Sequence, residues 1–213
     1  MFYDYSGFPA ESYELVYGAK GDPVFATRVN NLLSQSGIAS KLVRRPYDHG
    51  TFVPMFLMRP QADIPIVTMS INDRTLNAKA HFELGKALGP LRDEDTLIIT
   101  SNQATHNMYA DWYPEDHPIE PWALEFQRWL NKTLSADSTQ TYNERMESIT
   151  AWEKAPNASV CHRTPDHFTT FVVAAGAGME DNRPAAKKLN GRWGLGHMSF
   201  ANYAWGVKPQ APM

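Results

Sequence analysis

Two short apolar segments on either side of an amphipathic helix constrain the fold of this chain more than any other feature. Residues 64–71 and 96–100 are continuous runs rich in β-branched side chains, a pattern typical of strands that are buried on both faces. Between them, residues 77–91 place their apolar side chains on one stripe of a predicted helix. A strand, a helix and a strand at this spacing predict a right-handed βαβ unit with a parallel pair of strands. We therefore predict an α/β fold with a central, mostly parallel or mixed sheet flanked by helices.

Capping and turn signals outline the remaining elements. Asp22-Pro23 is typical of an N-cap followed by a proline in the first turn, and it opens a predicted helix with apolar positions from Val24 to Leu33 that ends at Gly37. Further helices are predicted over residues 52–58, 122–134, 141–152 and 166–177, and short strands over 38–43 and 194–203. No internal repeat or linker interrupts the chain, which predicts a single domain over residues 1–213.

Composition excludes several classes of protein. A chain of 213 residues with 43% hydrophobic and 12% aromatic residues can bury a sizeable core, which excludes wholesale disorder. The net charge of −3 and the lack of any basic run longer than two residues argue against a nucleic-acid partner. No stretch of 18 apolar residues occurs, so no membrane partner is predicted. The single cysteine, Cys161, and an N-terminus unlike a signal peptide predict a reducing, cytoplasmic location.

The polar segment after the second predicted strand is the first candidate site. His106 lies within residues 101–108, a run of serine, asparagine, glutamine, threonine and histidine side chains. Ligands of open α/β sheets bind beyond the carboxyl ends of the strands, so this crowd of polar groups is typical of a site. The alternative is an exposed loop whose side chains satisfy the backbone of turns.

A second candidate site lies in residues 161–167, which contain two histidines five positions apart. His167, in the first turn of a predicted helix, is a candidate metal ligand, with Asp166 close enough in sequence to orient its ring. The alternative makes Thr164 an N-cap, Pro165 the first helical residue and His167 a polar residue at a helix start. Cys161 is either a ligand or nucleophile, with His162 beside it, or a small buried apolar residue.

His49, in the turn Asp48-His49-Gly50, is the third candidate. A histidine between an acidic residue and a glycine suits a loop that presents an imidazole to a ligand, and it suits an ordinary turn equally well. The glycines of residues 191–196 do not match the spacing that cradles phosphates, so they predict no nucleotide site.

Taken in order, a series of short motifs resembles a known family. The first part is Tyr-Asp-Tyr-Ser-Gly-Phe-Pro at 3–9, Gly-Asp-Pro at 21–23, Asp-His-Gly at 48–50 and Ala-Asp-Ile-Pro at 62–65. The second part is Pro-Leu-Arg-Asp-Glu at 90–94, Thr-His-Asn at 105–107, Trp-Glu-Lys-Ala-Pro at 152–156 and Thr-Pro-Asp-His-Phe at 164–168. The series resembles the class III extradiol ring-cleavage dioxygenases of the catalytic-subunit-B family, in the 4,5-DOPA dioxygenase-like branch.

The resemblance implies an α/β fold and a non-haem Fe(II), often replaced by zinc in structures, that serves the opening of a small catechol with O₂. By matching position, it implies that His106 is the acid/base histidine and, in some members, also a metal ligand. It implies that His167 is a metal ligand and that His49 belongs to the substrate pocket.

The sequence departs from the family at its start. Family members carry a further N-terminal segment with a Gly-His-Gly-type and a Ser-Ala-His-Trp-type histidine, both iron ligands, and Met1 falls almost on the Tyr3–Pro9 motif. Three interpretations follow: a shortened start, a chain without dioxygenase chemistry that binds an aromatic ligand or a partner chain, or a reduced metal site built from His49, His106 and His167. Without the family's first strand and helix, apolar strand surface would need a neighbour, which predicts a homo-oligomer, most simply a dimer.

Overall fold

The structure, a computed structural model, describes residues 1–72, 74 and 77–207. The chain divides into two compact units, residues 1–70 and a second unit that begins at Ile71. The single domain predicted from the sequence stays a prediction. None of the helices in the described ranges combines the length and the apolar character that a bilayer crossing requires.

The first unit is built on two helices. Helix α1 spans Pro23–Gln35, and helix α2 spans His49–Met58. The Asp22 carboxylate accepts a hydrogen bond from the backbone N–H of Phe25 at 2.9 Å, which confirms the predicted N-cap of α1.

The second unit is mainly helical, with two small sheets near its C-terminal end. Its helices are α3 Ala78–Leu88, α4 Pro121–Leu134, α5 Tyr142–Thr150, α6 Ala158–Cys161 and α7 Asp166–Gly178. The strands are β1 Lys187–Asn190, β2 Trp193–Gly194, β3 Met198–Ser199 and β4 Asn202–Ala204. Strand β1 pairs with β4 and strand β2 with β3, both antiparallel.

The core of the second unit lies between α3, α4, α5 and α7. Its largest fully buried side chains include Phe82, Phe126, Leu130 and Phe168. Helices α3 and α7 touch through their backbones, because a Cβ on Gly85 would stand 2.1 Å from the carbonyl oxygen of Val173. Helix α7, which carries His167, is therefore fixed against the core by its own main chain.

The predicted central sheet is not shown. Within the described ranges, residues 38–43, 64–71 and 96–100 belong to no strand, and the predicted strand over 194–203 is divided among β2, β3 and β4. A β-rich apolar run becomes a strand only when its backbone groups find a neighbouring chain, and these runs are also less buried than expected, with Leu97 81% and Ile64 51% exposed. The mixture of helix and sheet is confirmed, whereas the parallel βαβ unit is not.

Candidate functional site

His106 is held where the loop after residues 96–100 meets strand β3. The backbone N–H of Ser199 donates to the carbonyl oxygen of Thr105 at 2.9 Å, and the Thr105 hydroxyl donates to the Gln127 side chain at 3.0 Å. These bonds anchor the residue before His106 to β3 and to α4. His106 itself is buried, with 5% of its surface exposed.

His167 comes to the same place from the start of α7. Its Nδ1 lies 2.6 Å from Nε2 of His106, and the two rings stack with centroids 4.6 Å apart and planes 17° from parallel. One of these nitrogens must carry the proton that the other accepts. The side chain of His167 is 33% exposed, and its Nε2 lies 3.6 Å from the Asp166 carboxylate. The structure thus brings together two candidate residues that are far apart in the sequence.

The predicted alternative for the helix start is partly wrong. Helix α7 begins at Asp166, and Pro165 occupies the N-cap position, where it makes no side-chain hydrogen bond. Thr164 donates its hydroxyl to the Asp166 carboxylate instead of capping the backbone. His167 is therefore in the first turn, as predicted, and its ring points to a histidine.

A third imidazole, that of His162, packs beside His106, although the sequence distinguished His162 only as the neighbour of Cys161. Its ring meets that of His106 edge-on, at 5.1 Å between centroids and 65° between planes. Nε2 lies 2.9 Å from the carbonyl oxygen of Ala104, and because a carbonyl only accepts, this nitrogen carries the proton. We name His106, His162 and His167 the histidine cluster.

A fourth histidine near the cluster was missed altogether. His197 is fully buried at the turn between β2 and β3, and its Nε2 lies 3.2 Å from the carbonyl oxygen of Asp111. Burial lowers its pKa. Its sequence context, a predicted strand, held no signal that could have distinguished it from a core residue.

Burial sets the charge of the cluster. Desolvation, and then the neighbouring His162 and His167, lower the pKa of His106 to about 3. Desolvation likewise lowers the pKa of His162 to about 4, against a weaker opposing effect of its bond to Ala104. Both rings are therefore neutral at pH 7.

These shifts predict acid-sensitive stability. Between pH 6.5 and 5 the unfolded chain takes up protons at His106 and His162 and the folded chain does not. The free energy of unfolding therefore falls as pH falls, with a slope that approaches about 1.4 kcal/mol per pH unit for each histidine. Urea denaturation at several pH values measures the slope. His162→Gln removes one of the two histidines, so it should lower the pH slope of the free energy of unfolding by the contribution of that histidine. An unchanged slope would contradict the lowered pKa of His162.

The cluster offers only part of a metal site. Non-haem iron typically uses two histidines and a carboxylate on one face. In the part of the chain that the structure describes, no group of three or more histidine, cysteine, aspartate or glutamate side chains is arranged to hold a metal ion. His106 and His167 converge on each other, and these residues alone do not complete the ligand set.

His49 lies in the first unit, at the start of α2. Its Nδ1 is 2.7 Å from a carboxylate oxygen of Asp4, and its side chain is 50% exposed. The turn predicted around it is the N-terminus of α2, where Asp48 is the N-cap residue. Its predicted place in a substrate pocket stays a prediction.

Cys161 is unsuited to nucleophilic chemistry. The thiol is buried, with 2% of the residue exposed, and burial raises its pKa to about 12. A nucleophilic cysteine needs the thiolate near neutral pH, so the apolar interpretation of this residue is favoured.

Comparison with known proteins gives this site its context. The family model described as the catalytic LigB subunit of aromatic ring-opening dioxygenase matches residues 1–206. The 4,5-DOPA dioxygenase extradiol of Beta vulgaris is 39% identical over 204 residues, which are 94% of this chain and 72% of that protein. The protein of that name from Escherichia coli (strain K12) is 30% identical over 176 residues, 82% of this chain and 63% of that one.

A solved structure agrees with these matches. The crystal structure of an uncharacterized protein from Escherichia coli K12 superposes with a TM-score of 0.74 at 26% identity and covers 91% of this chain and 77% of its own. The motifs that resemble extradiol dioxygenases lie within the matched range, from the Tyr3–Pro9 segment to the histidine at 167. The chain belongs to the family of catalytic LigB subunits of aromatic ring-opening dioxygenases.

Proposed function

We propose that this chain is an extradiol dioxygenase that opens the ring of a small catechol with O₂. The observation that carries the proposal is the contact between ring nitrogens of His106 and His167, at 2.6 Å, in a chain of this family. In the reaction, a carbon–carbon bond beside the two hydroxyls breaks and both oxygen atoms of O₂ enter the product.

His106 is the acid/base group in this proposal. Its neutral ring accepts the proton of a catechol hydroxyl and returns it later in the reaction, a role worth about 10²–10⁴ in rate. His106 is buried, and its hydrogen-bonded partner His167 is partly exposed. The pair therefore offers a path by which a proton passes between the buried ring and solvent.

The test of the function is oxygen consumption. The purified protein is supplied with Fe(II) and 4-methylcatechol, and O₂ uptake is followed together with the yellow colour of a ring-opened product. Uptake with a stoichiometric coloured product supports the proposal. A folded protein that consumes no O₂ with bound iron and a range of catechols overturns it.

A second candidate is a protein of the same fold that binds an aromatic ligand or a partner chain without turnover. It is favoured by the two-histidine convergence, which falls short of a three-ligand set among the described residues. Binding of a catechol with no O₂ uptake and no bound metal distinguishes this candidate from the dioxygenase.

Iron, or zinc in its place, stays the predicted cofactor, with His167 and His106 as ligands. His167→Ala should lower the bound metal at least about tenfold, because a ligand contributes directly to affinity, and should leave the helical circular dichroism in place. Metal content by elemental analysis is the measurement. His117→Ala, which alters a histidine stacked on Tyr113, is the control. Full metal occupancy in His167→Ala would show that His167 is not a metal ligand and is merely a polar residue in the first turn of α7.

A homodimer is the predicted assembly. In the second unit, residues 97–112 expose large apolar side chains, among them Leu97 at 81% and Trp112 at 64%, and such surface favours contact with a second chain. Light scattering should give twice the monomer mass, and Leu97→Glu should shift it toward the monomer. Val24→Glu, at a position 83% exposed on α1, is the control. A monodisperse wild-type monomer at micromolar concentration contradicts the prediction.

A further inference from the structure

Asp4 makes two hydrogen bonds to one residue. Its Oδ1 accepts from the backbone N–H of His49 at 3.2 Å and lies 2.7 Å from Nδ1 of the same histidine. The arrangement is a carboxylate–imidazole pair within the first unit, outside the histidine cluster of the second.

Local structure explains why Asp4 stands there. The backbone N–H of Phe2 donates to the carbonyl oxygen of Tyr47 at 2.7 Å, and Phe2 forms a parallel bridge with Asp48. This contact lays the N-terminal segment along the start of α2. The N–H of His49 belongs to the first turn of that helix, where N–H groups lack partners within the helix and a negative charge is favourable.

The pair fixes the tautomer of His49. Hydrogen bonds from His49 outweigh the desolvation that would raise the pKa of Asp4, so this pKa lies below its ordinary value. An ionised carboxylate only accepts, so Nδ1 of a neutral His49 carries the proton and Nε2 keeps its lone pair. With half of its side chain exposed, His49 can meet a ligand from solvent.

The surroundings of His49 favour an aromatic ligand. The ring of Tyr5 meets the imidazole edge-on at 5.9 Å and 87°. Tyr5 in turn packs against Phe8 and Tyr13, each with its ring centroid 5.3 Å away. These aromatic side chains can pack against a planar ring, and the imidazole can accept a hydrogen bond from a hydroxyl on that ring.

We propose that Asp4 is a positioning residue that holds His49 in the tautomer whose Nε2 accepts a hydrogen bond from a phenolic hydroxyl of the substrate. The proposal rests on the proposed function for the identity of the ligand, a catechol. It assigns a role to Asp4 and a specific atom to His49.

The experiment reads the tautomer directly. Protein labelled with ¹⁵N in its histidine rings is studied by NMR, with the His49 signals assigned through His49→Gln, before and after 4-methylcatechol is added without O₂. In the wild type, Nε2 of His49 should be the unprotonated nitrogen, and its signal should move when the catechol binds. In Asp4→Asn the amide can donate to Nδ1, so the proton should shift toward Nε2 and the catechol should bind about 10- to 100-fold more weakly.

His49→Gln and Asp63→Asn complete the series. His49→Gln should weaken binding about as much as Asp4→Asn, and the double variant no further, because both act through one atom. Asp63→Asn removes an exposed carboxylate of the same unit that pairs with Arg59, and it should change neither the tautomer nor the affinity.

The outcomes separate the two proposals. An unchanged tautomer in Asp4→Asn overturns the positioning role, and a changed tautomer with wild-type affinity overturns the role of His49 toward the ligand. A His49 signal that does not move when the catechol is added also overturns the role of His49 toward the ligand. Binding that behaves as expected in a protein that consumes no O₂ supports the assignment of Asp4 and His49 and overturns only the proposed dioxygenase function.

Discussion

Replacing His106 with alanine should lower turnover of a catechol by about 10²–10⁴-fold, the usual worth of general acid/base catalysis. The reason is its place in the cluster: it is a neutral, buried imidazole bonded to a partly exposed one. With the ring gone, neither the buried proton acceptor nor the path through His167 remains. Oxygen uptake under saturating catechol and Fe(II) is the measurement, with bound metal determined on the same samples.

A matched control separates chemistry from packing. His81 is also buried, at 1% exposed, and its Nδ1 lies 3.0 Å from the carbonyl oxygen of Asn77 within α3, outside the histidine cluster. His81→Ala should therefore reduce stability by an amount of the same order and leave turnover per folded molecule unchanged. If His106→Ala retains full turnover, the acid/base assignment is wrong, and if bound metal disappears with activity, His106 acts as a ligand.

Helices were largely predictable from the sequence because their signals are local. Thr141 and Glu144 form the capping box that starts α5, and Asp22 caps α1. Helix α2 began three residues earlier than its predicted start at Phe52, since Asp48 provides the N-cap and the Asp48 carboxylate accepts from the Thr51 hydroxyl. The strand predictions were less successful for the opposite reason. A strand needs backbone hydrogen bonds to a second segment, and that segment is remote in the sequence.

Two members of the candidate site, His106 and His167, could be singled out from the sequence, but their arrangement could not be predicted. His106 and His167 stood out because each lies in a polar motif at the edge of a predicted element. Their contact depends on how α7 packs, which no spacing encodes. His162 was considered only as a neighbour of Cys161, and His197 was not singled out because it lies in a predicted strand. The relation of both to His106 exists only in three dimensions.

A single methyl group at the crossing of α3 and α7 should destabilise the second unit by about 3 kcal/mol or more, at the upper end of the usual cost of overpacking. A Cβ on Gly85 would stand 2.1 Å from the carbonyl oxygen of Val173, and one on Gly176 would stand 2.1 Å from that of Phe82. Both obstacles are backbone atoms in helices, so neither can turn away as a side chain would. Gly85→Ala and Gly176→Ala should each lower the midpoint of urea denaturation sharply.

Gly89 supplies the control for this crossing. It follows α3 with a φ of −48°, and a Cβ there would meet the carbonyl oxygen of Ala177 at 3.6 Å, an ordinary contact. Gly89→Ala should change the free energy of unfolding by no more than about 0.5 kcal/mol. A similar loss in Gly85→Ala and Gly89→Ala would show that the close backbone approach is not what limits stability.

The two glycines also lie against each other, and this makes the double variant the sharper test. A Cβ on Gly176 would be 3.2 Å from Cα of Gly85, so either methyl group forces the same separation of the helices. Once α3 and α7 have moved apart for one methyl, the second meets less resistance, and the double variant should cost less than the sum of the single ones. Because the same movement displaces the start of α7, and with it His167 from His106, activity should fall in both single variants even at temperatures where they remain folded. Strict additivity with full activity would mean that each clash is absorbed locally and that the crossing does not hold the histidine cluster together.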